Sequence, residues 1–247
     1  MPKLLLLGGT GEATALAARL ADDARIETIT SLAGRTRAPA AIASEVRTGG
    51  FGGADGLSAY LTEYKIDILI DATHPYAARM PHIAAEACGR TGVPRLRLLR
   101  PPWAPVEGDR WIAAADLAAA AAALPGLARR VFLTTGQRDL EVFAPLADTW
   151  FLVRLIEPPA ETLPLAHHEI RLARGPFRIE NEIALMREHD IEAVVSKNSG
   201  GEATYGKIAA ARTLDLPVVM VDRPVQPDGE TADTIDACLA WLDMRLE

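Results

Sequence analysis

Four short segments hold the residues of this chain that could do chemistry, and each stands where an apolar run gives way to a helical pattern. Gly8-Gly9-Thr10-Gly11-Glu12-Ala13 follows Leu4 to Leu7, and Asp71-Ala72-Thr73-His74-Pro75-Tyr76-Ala77 follows Ile66 to Ile70. Leu133-Thr134-Thr135-Gly136-Gln137-Arg138-Asp139 ends a third run, and Ser196-Lys197-Asn198-Ser199-Gly200-Gly201 ends a fourth. In the first, glycines let the backbone turn sharply and approach a pyrophosphate, whose charge is stabilised by free N–H groups at a helix start. Gly9, Thr10, Gly11 and Glu12 are therefore expected at a dinucleotide. Thr14 occupies the place of the third glycine of G-x-G-x-x-G, and Glu12 stands close to the anion, so it is expected to turn away or accept from a ribose hydroxyl.

The next apolar run, Ile26 to Thr30, ends in Thr30-Ser31-Leu32-Ala33-Gly34-Arg35. A site for NAD places an acid there to accept from the ribose hydroxyl. Here a hydroxyl, Ser31, and a guanidinium, Arg35, stand instead, and these are donors for a 2′-phosphate. The expected cofactor is NADPH. Thr73 and His74 follow a strand end, where open α/β sheets bind ligands, and Pro75 holds His74 extended. His74 is placed to face the nicotinamide or the substrate, or else caps its own turn, and Asp71 can cap the next helix.

Thr134, Thr135, Gly136 and Arg138 repeat the strand-turn-helix logic later in the chain. Lys197, Ser199 and Gly200 do so again, with Tyr205 and Lys207 shortly beyond, and Arg154 and Arg174 lie near other strand ends. Together they form a donor set for a ligand with several carboxylates, although Arg154 and Arg174 could equally pair with the abundant Asp and Glu. His167-His168 lacks the H-E-x-x-H spacing, and no metal site is expected. No tyrosine has a lysine four residues later, which argues against short-chain dehydrogenase chemistry.

Short apolar runs alternating with helical segments predict α/β architecture with two Rossmann-like domains, parallel sheets and a cleft between them. Further strands are expected at Val93 to Leu99, Val131 to Thr134, Phe151 to Ile156, Glu169 to Ala173, Ala193 to Ser196 and Pro217 to Val221. Helices are expected at Ala13 to Leu20, Pro81 to Cys88, Ala113 to Leu124, Arg178 to Glu188, Ala203 to Leu214 and Thr231 to Leu246. Arg100-Pro101-Pro102-Trp103-Ala104-Pro105 can continue neither helix nor central strand, so the boundary is expected near 105. Residues 1–105 would bind NADPH and 106–247 the substrate.

The chain's 247 residues, 49% hydrophobic and 24% charged, suffice for two such domains. Its net charge of −7 argues against a nucleic-acid face, and no apolar run is long enough for a membrane span. Cys88 and Cys238 lie too far apart for a C-x-x-C site and suit the cytoplasm.

The four segments, in this order and spread over essentially the whole chain, resemble the precorrin-6A reductase family of cobalamin biosynthesis, with Asp71 to Ala77 the most specific. The resemblance implies NADPH-dependent reduction of one double bond in a methylated tetrapyrrole, precorrin-6A to precorrin-6B. It also implies that carboxylate arms meet the Lys and Arg set, and that other corrin-pathway enzymes are the natural partners. The proton donor stays open among His74, Tyr205, a bound water and the macrocycle's own nitrogens. An NADP(H)-binding redox sensor, or a reductase of another polycarboxylate, is the alternative.

Overall fold

A computed structural model of the chain describes residues 1–33 and 44–246. The first sheet is built from β1 (Lys3–Leu7), β2 (Glu27–Leu32), β3 (Glu45–Thr48), β4 (Ile68–Asp71) and β5 (Arg95–Leu98). Helices α1 (Gly11–Leu20), α2 (Ala54–Glu63) and α3 (Met80–Thr91) connect them. Strand β1 shows why the sheet is covered on both faces. Its Leu4 and Leu6 join a core with Leu16, Ala17 and Leu20 of α1. Its Leu5 and Leu7 join another with Leu57 and Leu61 of α2 and Ala84 and Cys88 of α3. Successive side chains of a strand point to opposite faces, so a continuous leucine run requires a layer on each side.

The second sheet contains β6 (Trp111–Ala114), β7 (Arg130–Leu133), β8 (Trp150–Leu155), β9 (His167–Leu172), β10 (Ala193–Lys197) and β11 (Val218–Val221). Its helices are α4 (Leu117–Ala122), α5 (Ile179–Glu188) and α6 (Gly206–Thr213). Phe132, Leu152, Val194 and Met220 of this sheet pack on Leu185 and Met186 of α5 and Ile208 of α6. The chain ends with β12 (Glu230–Ala232) and α7 (Ile235–Leu246).

Strand order is β12-β5-β4-β1-β2-β3 in the first sheet and β6-β11-β10-β7-β8-β9 in the second. All pairings in both are parallel. Each sheet is the doubly wound order of a Rossmann fold, which reverses at a switch point between β1 and β4 in one and between β7 and β10 in the other. The α/β architecture with two Rossmann-like parallel sheets is thus as the alternation of runs predicts.

The division of the chain differs from expectation. Two compact units comprise residues 1–101 with 224–247, and residues 102–223. Strand β12 pairs with β5 in the first sheet, and Cys238, Trp241 and Leu242 of α7 join the core on its α1 face. The final helix therefore belongs to the first unit and not to the second. The alanine-rich segment also divides: Trp111–Ala114 is a strand, and the helix starts only after Asp116, whose carboxylate caps it by accepting from Ala119 N at 2.7 Å.

Candidate functional site

In the first unit the turn after β1 is shaped by Gly9 at φ +113°, a conformation that glycine tolerates. Thr10 then caps α1. Its hydroxyl oxygen accepts from Ala13 N at 3.1 Å and donates to Ala72 O at 2.8 Å, tying the glycine turn to the end of β4. Gly11 opens the helix with an ordinary backbone conformation, and a Cβ there would meet nothing within 4 Å.

Glu12 pairs with Arg100. Both its carboxylate oxygens accept from Arg100 Nη1 at 2.7 Å. Burial opposes ionisation of Glu12, but a backbone hydrogen bond and the Arg100 guanidinium outweigh it and hold the carboxyl below its ordinary range. The negative charge at the turn is thereby matched by a cation. Thr10, Glu12, Thr73, Pro75 and Arg100 share a pocket of about 10 Å³, room for one water molecule.

Asp71 ends β4 fully buried and ion-paired with the equally buried Arg97 of β5. Its Oδ1 accepts from Thr73 N at 3.0 Å and from Thr73 Oγ1 at 2.6 Å. The expected role as a cap of the following helix is not what it does, since α3 begins only at Met80. His74 is exposed, and its Nδ1 accepts from Tyr76 N at 3.2 Å. The neutral imidazole therefore carries its proton on Nε2.

Ser31 is buried near the end of β2, and its hydroxyl oxygen accepts from Arg47 Nη1 at 3.3 Å. Arg35, paired with it in the sequence reading, lies outside the described residues. Arg47, the register partner of Ser31 on β3, was missed. Its guanidinium donates to the carbonyls of Gly49 and Gly50 and lies 3.9 Å over the Phe51 ring. Since Ser31 Oγ accepts from Arg47, the hydroxyl proton is left to donate elsewhere.

In the second unit, Thr134 donates through both N and Oγ1 to Val195 O at 3.0 Å, joining the ends of β7 and β10. Thr135 is buried, and its carbonyl accepts from Lys197 Nζ at 2.8 Å. Its hydroxyl has no hydrogen-bond partner among the described residues. Gly136 has φ +84° and Gly200 φ +69°. Burial and the neighbouring Arg138 lower the Lys197 ammonium against the opposing pull of Asp139, so two cations share this switch point. Ser199 is held by its carbonyl, which accepts from Arg223 Nη2 at 3.0 Å. Arg174 is exposed beyond β9.

Two expected substrate contacts, Arg154 and Lys207, and the candidate proton donor Tyr205 have partners within the second unit. Arg154 is buried and bidentate to Glu182 at 2.9 and 2.7 Å, and it lies 4.0 Å from the Phe177 ring. Lys207 is buried, donates to Thr204 O at 2.8 Å and stands 4.8 Å over the Trp103 ring. Burial first, and then Arg154, pull its ammonium down to about 7 despite Glu182. The Tyr205 hydroxyl accepts from Arg212 Nη2 at 2.6 Å, and its ring packs 5.8 Å from Trp103. Tyr205 also lines a pocket of about 290 Å³ with Phe177, Arg178 and Gly206.

Residues 3–243 match the model of the precorrin-6x reductase CbiJ/CobK family. The chain belongs to that family. A precorrin-6A reductase of Rhodococcus erythropolis is 49% identical over 243 residues, spanning 98% of each chain. Another, from a Sinorhizobium species, is 47% identical over 96% of this chain and 91% of its own. A solved structure titled CobK precorrin-6A reductase superposes with a TM-score of 0.93 at 45% identity, covering 99% of this chain and 97% of that one.

For a reductase of this family the described residues form no group of three or more His, Cys, Asp or Glu fit to hold a metal ion. Nor do they form a helix long and apolar enough to cross a membrane. The residues that sequence reasoning missed, Arg47, Arg97 and Arg100, sit on strands or just after them. Their signal was a cation at a strand's carboxyl end, the same signal that selected Arg154.

Proposed function

We propose that this chain reduces one carbon–carbon double bond of precorrin-6A to give precorrin-6B, in the cytoplasm, with NADPH as reductant. The first unit holds the cofactor and the second holds carboxylate arms of the macrocycle. What carries this reading is the match, at 45% identity and over nearly the whole of both chains, to a structure titled as a precorrin-6A reductase. The first unit's turn also fits a dinucleotide, because Gly9 permits the turn and Gly11 leaves open the space a pyrophosphate would fill.

NADPH supplies a hydride to one carbon of the double bond while a proton joins its neighbour, so precorrin-6A, NADPH and one proton give precorrin-6B and NADP⁺. The chain's own work is binding and orientation. Ser31, whose hydroxyl oxygen accepts from Arg47 and leaves its proton to donate, and Arg35 recognise the 2′-phosphate. Thr10 and Asp71 fix the backbone on which Thr73 and His74 stand, and the Nε2–H of the neutral His74 ring can donate a hydrogen bond to a bound ligand. In the second unit Lys197 and Arg138, with backbone N–H groups near Gly136 and Gly200, meet carboxylates.

The test is consumption of NADPH or NADH by the pure protein with precorrin-6A. NADPH is expected to be consumed in step with macrocycle reduction and strongly preferred to NADH. Loss of a hydrogen bond to the charged phosphate in Arg35→Ala should weaken NADPH by about tenfold to hundredfold. Equal use of both cofactors by the intact protein overturns the Ser31 and Arg35 assignment. Tight binding of both ligands with no consumption replaces the reductase by a sensor.

A further inference from the structure

The loop carrying His74 is fastened to the sheet by the buried Asp71–Arg97 ion pair. Arg97 is 1% exposed, and its Nε and Nη2 are buried with no hydrogen-bond partner among the described residues. On the face of the sheet that Asp71 and Arg97 share, Leu7, the register partner of Asp71 on β1, and Leu69, two residues before it, are buried apolar residues. In such surroundings the cost of desolvating two charges commonly equals or exceeds their attraction, and apolar side chains would serve the sheet equally well.

What an apolar side chain could not do is accept. The Asp71 carboxylate receives Arg97 on one oxygen and both the amide and the hydroxyl of Thr73 on the other. The residue so held immediately precedes His74. The rest of the loop is fixed in the same direction: Thr10 Oγ1 donates to Ala72 O, and Ala77 N donates to His74 O at 2.7 Å. Gln226 Nε2 donates to Pro75 O at 3.4 Å.

We propose that Arg97 and Asp71 are positioning residues of the reductase, a buried pair whose role is to hold Thr73 and thereby fix the His74 imidazole at the β1/β4 switch point. Arg97 aims the carboxylate by donating to one of its oxygens, and the other oxygen transmits that placement to the loop backbone through Thr73. This rests on the reductase reading for its kinetic consequence, while the placement of the ring can be observed without turnover.

The experiment compares two double variants with the intact protein. Asp71→Leu with Arg97→Leu removes charge and acceptor together, and Asp71→Asn with Arg97→Leu removes the charge but keeps an oxygen for Thr73. Kinetics with precorrin-6A and NADPH are measured beside melting temperature and the His74 ring resonances in the unliganded protein. The Leu/Leu protein is expected to melt no lower than the intact one. Its His74 signals should broaden or shift toward a mixture of tautomers, and its kcat should fall about tenfold to hundredfold with KM little changed. The Asn/Leu protein, which keeps an acceptor for Thr73 but loses the guanidinium that aims it, should recover only part of the kcat and of the intact His74 signals, and full recovery overturns the role of Arg97.

Should the Leu/Leu protein not fold, Thr73→Val, which retains the ion pair and loses the hydroxyl donor, is expected to shift the His74 signals in the same way. Unchanged His74 signals together with intact kcat in the Leu/Leu protein, or an unshifted ring in Thr73→Val, overturn the positioning role. Absence of turnover in the intact protein, with its His74 signals shifting as expected in the variants, defeats the reductase reading and leaves the positioning intact.

Discussion

His74 and Lys207 are both titratable side chains beside a strand-end turn, and their surroundings are opposite. His74 is exposed with one ring nitrogen fixed by Tyr76 N. His74→Ala should therefore slow turnover far more than it weakens NADPH binding, as steady-state kinetics and titration would show; unchanged turnover removes His74 from the chemistry. Lys207 is buried, and its pKa falls from the ordinary 10.5 to about 7. Between those values the unfolded chain binds more protons than the folded one, so stability should rise with pH by at most about 1.4 kcal/mol per pH unit. Denaturant titrations from neutral to alkaline pH should show that slope in the intact protein and its loss in Lys207→Met. A flat profile in the intact protein contradicts the burial. The residue types at the turns were legible because glycine, threonine and His-Pro have local conformational meaning. The commitment of Arg154 to Glu182 was not, because the partners are 28 residues apart and meet only when β8 packs on α5.

At the scale of elements, the turns work through close approach. A Cβ on Gly206 would lie 2.4 Å from Phe177 O, a backbone atom that cannot swing away. Gly206→Ala is accordingly expected to destabilise the second unit by about 1–3 kcal/mol, read as a lower denaturation midpoint with an unchanged slope. Wild-type stability would mean that α6 and the 177 segment are not packed as described. Thr10→Val, which loses the cap and the tie to Ala72, should cost about 1 kcal/mol and weaken cofactor binding together. Strands β1, β4, β7, β10 and β11 were readable because a parallel sheet covered on both faces demands continuous apolar runs. Strand β3 escaped because Glu45-Val46-Arg47-Thr48 is a largely exposed edge with no such demand. Helix α2 escaped because it starts from Gly53 with no side-chain cap to announce it.

Across the whole molecule, the two sheets have the same strand order with their sixth strands exchanged along the chain. Strand β6, which follows the first five, lies at the edge of the second sheet, and β12, which follows the rest, lies at the edge of the first. Proline runs mark both crossings, at 101–102 and 224–227, but only the first was taken as a boundary. The return was illegible because β12 has three residues, two of them exposed, and no alternation to read. Since Trp241 of α7 is buried in the first unit's core, Trp241→Ala should cost about 3–5 kcal/mol and impair nucleotide binding, with a melting transition lost or lowered in that unit. Nucleotide binding and melting that both stay intact would contradict the packing of α7 there. The account as a whole turns on hydride transfer from NADPH to a tetrapyrrole double bond. Its most direct test is turnover of precorrin-6A with NADPH deuterated at the transferring position of the nicotinamide, followed by mass analysis of the macrocycle. The account predicts a product carrying one deuterium from the cofactor and one hydrogen from solvent. A reduced macrocycle with no cofactor deuterium, or no reduced macrocycle at all, would contradict it.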